Sequence, residues 1–357
     1  MKIHNRLQKL RQKLTEKEVD AILISQPENR YYLSGFDGSA GFLLITPQDA
    51  ILATDFRYIE QAKRQASDYK LFKIANDMIS WLPELVTGLK LQKLGFEAGH
   101  ITFTTYRQLS GLLNKIKPLP SLVPLDGLVE SLRIVKEPEE IEYITRAAEI
   151  SDNAFKHIES TIHPGMTEIE VAWEIESFMR ENGSQAVPFE IIVASGPNAA
   201  LPHARPSERQ IQAAEPVLMD IGARYNGYSS DLSRTICLGT PDDTFKKVYD
   251  IVLGAQLTVL SIIKEGMSGE QADSLARTVI KEADYGDAFG HALGHGVGLV
   301  THESPRLGPG STDQLTSGMV FTDEPGIYLP GWGGVRIEDL VVMENGKAKA
   351  ISKARKV

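Results

Sequence analysis

Cysteine is almost missing from the sequence, and its scarcity limits both the fold and the compartment. Cys237 is the one cysteine among 357 residues, so the chain cannot form an internal disulfide. A secreted scaffold held together by disulfides is therefore excluded, and a reducing cytoplasm is the expected compartment. Cys237 lies in the apolar stretch 235–238, which favours a small buried residue over a nucleophile.

Long apolar runs are also missing, since no stretch approaches the roughly 20 residues that span a bilayer. The basic stretch 1–14 is not followed by the apolar core of a signal peptide. Leu7, Leu10 and Leu14 instead have helical spacing. This spacing predicts an amphipathic surface helix.

Positive charge is in deficit, with 38 Lys and Arg against 47 Asp and Glu, a net charge of −9 and a pI near 5.5. This balance disfavours nucleic acid and an anionic membrane as partners. The apolar content is sufficient to form buried cores, because 42% of the residues are hydrophobic. The length exceeds what one hydrophobic core usually serves, so we expect two globular domains.

The two expected domains differ in their patterns. Residues 1–125 alternate short apolar runs with helical stretches, which predicts a small α/β domain. Its candidate elements are strands at 21–25, 41–46 and 50–54 and a helix at 56–66. Pro118, Pro120 and Pro124 favour a linker. Residues 126–357 begin with a long charged amphipathic helix and then mix helical and β patterns, which predicts an α+β domain.

A four-residue pattern occurs twice in the second domain. Residues 164–167 read Pro-Gly-Met-Thr and residues 265–268 read Glu-Gly-Met-Ser, and a predicted helix follows each. Each pattern also opens a capping box, in which the Thr or Ser is followed three residues later by Glu170 or Gln271. The repeat indicates two related αβ halves, although so short a similarity also arises by chance.

Two aspartates flank one predicted hairpin. Asp220 lies in the strand 217–222, Asn-Gly at 226–227 supplies the turn, and Asp231 lies in the return strand 230–235. Opposed side chains on a hairpin are roughly 5 Å apart. Two carboxylates at that distance repel unless a cation lies between them. Each aspartate alone can also be an ordinary turn or edge residue, although Asp220 lies within an apolar run.

Two glutamates belong to a second predicted strand pair. Glu324 ends the strand 319–324 before the turn signal Pro-Gly, and Glu338 lies in the strand 333–342. Period-two alternation places Glu338 on the face of Arg336, with its neighbours on the other face. Taken alone, Glu338 is also explained as a solvent-facing acid that pairs with Arg336.

Four of the eight histidines fall within one hundred-residue part of the chain: His203, His291, His295 and His302. The segment 289–298 is rich in glycine, so its backbone could approach a ligand closely. It lacks the Lys-Ser/Thr ending of a phosphate loop. A lone histidine is more often structural than a ligand, but four beside four strand-borne carboxylates favour a metal site.

Four carboxylates and one imidazole form a hard, oxygen-rich ligand set. Such a set suits Mn²⁺ and also allows Co²⁺, Fe²⁺ or Zn²⁺. Two divalent ions balance four negative charges, whereas a single ion leaves the pocket anionic. The sequence therefore predicts a two-metal hydrolase centre. Its candidate ligands are the carboxylates of Asp220, Asp231, Glu324 and Glu338 together with one of the four histidines.

The segments that carry these residues closely resemble the proline-directed metallopeptidases of the pita-bread fold, peptidase family M24. The branch comprises Xaa-Pro aminopeptidase and Xaa-Pro dipeptidase (prolidase). The resemblance is densest in SGPNAALPHARPS, LMDIGARYNGYSSDLSRT, HALGHGVGLVTHESP, GMVFTDEPGIYLP and GGVRIEDLVV. It implies an α/β N-terminal domain, a pita-bread catalytic domain with pseudo-two-fold halves, a proline-containing peptide substrate and a homodimer.

The same resemblance implies how the five candidate ligands are used. Asp231 and Glu338 correspond to the carboxylates that bridge both ions. Asp220 corresponds to a ligand of one ion, and His295 and Glu324 to ligands of the other. Glu324 also corresponds to the candidate general base.

Four further residues correspond to positions that contact or surround the substrate. His203 and His302 match the pair that contacts the substrate and stabilises the tetrahedral intermediate or moves protons. His291 matches the histidine of the proline pocket. Arg336 matches the arginine beside the bridging glutamate.

The chain departs from the family pattern at two places. Asp323 stands where the family more often has an apolar or amide residue, and alternation points it away from the face of Glu324. The loop 303–315 is short, and Arg306 is its candidate for contacting a substrate carboxylate.

Two other functions fit parts of the pattern. A methionine aminopeptidase shares the metal ligands, but two domains and the residues around His203 and Arg336 fit it less well. A non-catalytic binding module or a metal-free amidinohydrolase of the same fold lacks several ligands, whereas all five are present here.

Overall fold

The computed structural model describes residues 2–75 and 79–356, and the chain divides into two compact units, Met1–Arg133 and Ile134–Val357. Each unit has buried apolar clusters of its own. The expected linker is wrong in its second half, because Ser121–Leu125 is an edge strand of the first unit. An edge strand tolerates Pro124 since its outer side has no hydrogen bonds to lose. A domain boundary after residue 125 stays a prediction.

The first unit is built on a six-stranded mixed sheet, in agreement with the α/β prediction. Its strands are β1 (Ala21–Ile24), β2 (Phe42–Ile45), β3 (Ala50–Asp55), β4 (Lys70–Ile74), β5 (Lys93–Glu97) and β6 (Ser121–Leu125). Its helices are α1 (Lys2–Glu16), α2 (Pro27–Ser34), α3 (Ile59–Gln65), α4 (Leu82–Gly88), α5 (Phe103–Leu113) and α6 (Glu130–Arg133). The strand order is β4-β3-β2-β1-β5-β6, with β1 antiparallel to β2 and parallel to β5. All four residues of β1 are buried, as expected for a central strand that reads as one apolar run.

The helix predicted at the start of the chain is confirmed. Leu7, Leu10 and Leu14 lie on one side of α1 and are buried. The predicted strands at 21–25, 41–46 and 50–54 correspond to β1, β2 and β3. Within the part of the chain that the structure describes, no helix has the length and apolar character that crossing a bilayer requires.

The second unit mixes helices with antiparallel sheets, as predicted. Its helices are α7 (Pro138–Thr161), α8 (Glu168–Glu181), α9 (Asp243–Ile262) and α10 (Gly269–Glu282). Its first strands are β7 (Ile192–Ser195), β8 (Pro216–Ile221), β9 (Arg224–Tyr225), β10 (Tyr228–Ser229) and β11 (Leu232–Cys237). The later strands are β12 (Gly294–Gly296), β13 (Glu303–Leu307), β14 (Val320–Asp323), β15 (Gly326–Leu329), β16 (Gly333–Arg336), β17 (Asp339–Glu344) and β18 (Lys347–Ala350). The larger sheets have the orders β11-β8-β7 and β13-β12-β14-β17-β18.

The repeat in the sequence marks equivalent places in the two halves of this unit. Thr167 caps α8 and Ser268 caps α10, and both predicted capping boxes form. Each cap residue also makes an isolated β-bridge, Thr167 with Gln210 and Ser268 with Gln314. The two halves therefore enter their second helix in the same way.

Each half also contains a hairpin that changes sheets part-way. In the first, β8 pairs with β11, and β9 then pairs with β10 around the turn at Asn226 and Gly227, both with positive φ. In the second, β14 pairs with β17 and β15 pairs with β16.

The second hairpin differs from the prediction in two respects. The predicted strand 333–342 is two strands in different sheets, and residues 337–338 connect them. The turn lies at residues 330–332, where Gly331 has a φ of 85°, and not at 325–326. Glu324 and Glu338 consequently lie at the break between the two pairings.

Candidate metal centre

Three carboxylates converge where the two hairpins change sheets. One ligand oxygen from each of Asp220, Asp231 and Glu338 lies within 4.8 Å of the others. Asp220 lies near the end of β8, while Asp231 and Glu338 immediately precede β11 and β17. The two aspartates are not cross-strand partners as predicted, because the register pairs Asp220 with Ser233. They meet diagonally, which still brings both carboxylates to one site.

In the absence of metal, the buried carboxylates of the cluster repel one another. Burial, followed by the charges of neighbouring carboxylates, raises the pKa of Asp231 and of Glu338 well above their usual values. Burial also raises the pKa of Asp220, although Arg336 opposes the shift. Asp220 Oδ1 and Glu338 Oε1 are buried and accept no hydrogen bond from the described residues.

The two oxygens that accept no hydrogen bond from the described residues indicate whether a metal would fit the cluster. A divalent cation satisfies unpaired carboxylate oxygens and removes the repulsion between them at the same time. Hard oxygen donors are also the ligands that such ions prefer. The residues present therefore fit a divalent metal site.

His295 and Glu324 lie beside the three carboxylates. His295 Nε2 is 3.3 Å from Glu324 Oε1 and 3.7 Å from Asp231 Oδ2. The Nδ1 atom of His295 lies 3.1 Å from Gly296 O, so Nδ1 donates to this carbonyl and Nε2 faces the acids. Burial alone would raise the pKa of Glu324, but the hydrogen bond and charge of His295 lower it to about 2. All five predicted ligands are thus brought together.

Arg336 organises the opposite side of the cluster. Its buried guanidinium donates from Nη2 to Asp220 Oδ2 at 2.7 Å, from Nε to Ser233 Oγ at 2.8 Å and from Nη1 to the Tyr328 hydroxyl at 2.9 Å. Glu338 is only 1% exposed. The alternative of a solvent-facing Glu338 that pairs with Arg336 is therefore wrong.

The three remaining histidines line a cavity of about 520 Å³ that opens onto the cluster. His291 Nε2 lies 2.8 Å from the Tyr328 hydroxyl, and the ring of His302 lies 4.1 Å from that of His295. Burial lowers the pKa of His291, and burial together with the charge of His295 lowers the pKa of His302. Both rings are thereby favoured in the neutral form. His203 lines the same cavity.

Other singled-out residues lie elsewhere or at the margin. Arg306 lines the cavity and donates to Pro309 O. Asp323 is fully buried and accepts a hydrogen bond from Gln256. Cys237 is half-buried at the end of β11, and burial raises the pKa of its thiol, which disfavours the reactive thiolate.

Sequence reasoning missed Tyr328, which links His291 to Arg336. The one usable signal was general: a tyrosine inside an apolar strand usually has a partner for its hydroxyl. It gave no means of naming that partner.

Comparisons with known proteins show the family to which the chain belongs. Residues 142–345 match the family described as Metallopeptidase family M24, and residues 6–135 match the Creatinase/Prolidase N-terminal domain. An Xaa-Pro dipeptidase of Pyrococcus furiosus is 37% identical over 353 residues, 98% of each chain.

Solved structures are similar over nearly the whole chain. The Xaa-Pro dipeptidase from Bacillus anthracis has a TM-score of 0.96 and 43% identity, with 99% of each chain covered. The X-Pro aminopeptidase from Thermotoga maritima has a TM-score of 0.89 and 37% identity, with 95% of this chain and 97% of that chain covered. The predicted fold class is therefore confirmed, and the chain belongs to metallopeptidase family M24 as a two-domain enzyme with a pita-bread catalytic domain.

Proposed function

We propose that this metallopeptidase hydrolyses the bond between an N-terminal residue and a following proline, as an Xaa-Pro dipeptidase or Xaa-Pro aminopeptidase. The observation that carries the proposal is the acidic cluster, in which two buried oxygens accept no hydrogen bond from the described residues and which opens into a cavity lined by four histidines. The similar proteins named as Xaa-Pro dipeptidase and X-Pro aminopeptidase support the substrate class.

The five clustered residues are proposed to hold two divalent ions, with Mn²⁺ as the first choice. Asp231 and Glu338, which reach the site from the two hairpins, would be shared by both ions. Asp220 would belong to one ion, and His295 and Glu324 to the other. Ions held there would supply an activated water and polarise the scissile carbonyl.

The chain's own residues supply positioning and proton transfer. Glu324 lines the cavity beside His295, and its carboxylate can accept a proton from the attacking water. The neutral ring of His302, together with His203, can donate hydrogen bonds to the oxygen on which negative charge develops. His291, whose Nε2 lies 2.8 Å from the Tyr328 hydroxyl, is the proposed wall of the proline pocket. Proline has no N–H, so this pocket needs no acceptor for one.

We assign to Arg306 the recognition of peptide length. Its guanidinium lies at the cavity and is exposed enough to meet a free carboxylate. The carboxylate of an Xaa-Pro dipeptide would pair with it, whereas a longer peptide continues past it. We also propose a homodimer that works in the cytoplasm; light scattering of the purified protein tests the first and fractionation tests the second.

Cleavage of matched peptides tests the activity. The enzyme is stripped with a chelator, Mn²⁺ is added back, and products from Xaa-Pro and Xaa-Pro-Yaa peptides are identified. We expect metal-restored release of the N-terminal residue, and a loss of about 100-fold or more in Glu324→Gln. Glu181→Gln, on the exposed end of α8, is the control and should resemble the unmodified enzyme. Release of Met from Met-Ala, without cleavage before proline, would instead favour a methionine aminopeptidase.

A further inference from the structure

A second pair of acids lies directly behind the proposed metal centre. Asp323 and Asp339 are cross-strand partners in the β14–β17 pairing and are 0% and 2% exposed. Each is the chain neighbour of a proposed ligand, since Glu324 follows Asp323 and Glu338 precedes Asp339. Side-chain alternation sends the ligands towards the cavity and the aspartates towards α9. This second pair therefore lies on the opposite side of the same backbone segments that carry the two proposed ligands.

Cations and one amide compensate the charge of the Asp323–Asp339 pair. Arg234 Nη2 lies 2.8 Å from Asp339 Oδ1, and Lys356 Nζ lies 2.6 Å from Asp339 Oδ2. Gln256, from α9, donates from Nε2 to Asp339 Oδ2 at 3.0 Å and to Asp323 Oδ2 at 3.2 Å. Asp323 Oδ1 accepts no hydrogen bond from the described residues. Compensation of Asp323 thus depends on Gln256.

Lys356 also fixes the orientation of Gln256. Its ammonium donates to Gln256 Oε1 at 2.9 Å. A lysine ammonium has no acceptor, so the amide oxygen must face Lys356 and the amide NH₂ must face the two carboxylates. Lys356 therefore acts on Asp339 directly and on Asp323 through the Gln256 amide.

The segment 351–356 that carries Lys356 is held in place along its length. Ile351 N donates to Leu340 O at 2.7 Å, and Asp152 accepts from Lys353 N and Ala354 N at 2.9 and 2.8 Å. Arg234 donates to the carbonyl oxygens of Ala354 and Arg355 as well as to Asp339. These bonds place the segment independently of the lysine side chain.

We propose that Lys356 is a positioning residue for the metal centre: its ammonium, set between Asp339 and Gln256, compensates the buried acid pair and so fixes Glu324 and Glu338. This inference rests on the proposed roles of Glu324 and Glu338 as metal ligands. Loss of the ammonium frees the Gln256 amide and leaves buried charge one residue away from each ligand. Substitution of a residue that supports a metal ligand typically lowers metal affinity or activity by about 10- to 100-fold.

Substitutions that remove and then restore the charge balance test the proposal. In Lys356→Met we expect an at least tenfold higher Kd for Mn²⁺, a changed absorption spectrum of the Co²⁺-loaded protein, and a lower kcat with little change in KM. Lys356→Arg should recover most of the affinity. Lys353→Met, on the same segment with a 71% exposed side chain, is the matched control and should bind Mn²⁺ like the unmodified enzyme.

A second substitution separates charge compensation from simple packing. Asp323→Asn removes one acid of the pair and should restore Mn²⁺ affinity when combined with Lys356→Met. Absence of rescue, or unchanged metal binding in Lys356→Met, overturns the proposal. If Lys356→Met does not fold, Lys356→Gln takes its place and the same rescue is required. Failure of the unmodified enzyme to bind metal or cleave before proline would instead overturn the proposed function.

Discussion

Arg336 and Asp220 form an ion pair with a distance of 2.7 Å between Nη2 and Oδ2, and their side chains are 3% and 14% exposed. The same guanidinium holds Ser233 and the Tyr328 hydroxyl. One oxygen of Asp220 is thus directed to Arg336, and the other stays free for the cluster. The arginine sets the orientation of a candidate ligand and, through Tyr328, that of His291.

Lysine should not replace Arg336. A lysine carries one point charge and cannot reach three partners in the fork geometry of a guanidinium. We expect Arg336→Lys to lower kcat/KM on an Xaa-Pro peptide by about 10- to 100-fold, the range seen for partners of metal ligands. Arg180→Lys, an exposed arginine of α8, serves as control. Equal kcat/KM values in the two variants would contradict the role given to the fork.

The loop that carries His203 depends on one buried carboxylate. Glu168 is 0% exposed and accepts hydrogen bonds at both ends of the loop, from Ser195 N at 2.7 Å and from Ser207 Oγ at 2.6 Å. In Glu168→Gln an NH₂ group replaces one acceptor oxygen and leaves donors unpaired.

This substitution should destabilise the protein and displace His203. We expect a loss of about 2 kcal/mol in the free energy of unfolding, measured by urea denaturation, and a lower kcat/KM. Glu170→Gln is a matched control on the same helical turn, because glutamine also completes a capping box with Thr167. A Glu168→Gln variant as stable and active as this control would refute the prediction.

Metal binding should release protons. In the metal-free enzyme, burial and neighbouring carboxylates raise the pKa values of Asp231 and Glu338 well above the ordinary range, so at a pH below these raised values the metal-free state holds protons that the loaded state must lose. The affinity for Mn²⁺ should therefore rise with pH up to these raised pKa values.

Calorimetry gives a direct measurement of this release. Titration of Mn²⁺ in two non-coordinating buffers with different ionisation enthalpies should give different heats. The difference between the two heats should have the sign expected when the buffer takes up protons that the protein releases. In Asp231→Asn the difference should shrink, since one protonated carboxyl is gone. The same heat in both buffers would show that the cluster is already ionised before metal binds.

The sequence predicted which residues meet but not how they meet. Asp220 and Asp231 were read as opposed residues of one ladder, yet Asp231 lies outside the strand. Period-two alternation treated residues 333–342 as continuous, so it missed the change of sheet beside Glu338. Local patterns identify strands, whereas a change of partner depends on residues far along the chain.

Contacts between distant positions were beyond the sequence for the same reason. Lys356 and Gln256 are 100 residues apart, and no motif connects them. Asp323 was noticed only as a departure from the family pattern, and its explanation lies on α9 and in the segment 351–356. Capping boxes and the amphipathic α1, by contrast, depend on residues within a few turns and were predicted correctly.

The glycines of the segment 289–298 were expected to let backbone approach a ligand, but two of them allow strands to approach each other. A Cβ atom on Gly294 would lie 2.0 Å from Thr322 O, and one on Gly296 would lie 2.1 Å from Ser304 O. Both contacts are with backbone atoms of neighbouring strands, Thr322 in β14 and Ser304 in β13. A Cβ atom at either position could be accommodated only if β12 and its neighbour moved apart. His295 lies between these two glycines, so its position depends on both close approaches.

Alanine at position 294 should therefore impair the metal centre through the backbone. The added methyl group must push β12 away from β14, and Thr322 Oγ1, which accepts from His295 N and donates to Glu324, moves with it. We expect Gly294→Ala to lose about 1–3 kcal/mol of unfolding free energy and to bind Mn²⁺ more weakly. Gly290→Ala is the control in the same segment, because a Cβ there meets no atom within 4 Å. If both variants bind Mn²⁺ like the unmodified enzyme, the close approach at Gly294 does not determine the position of His295.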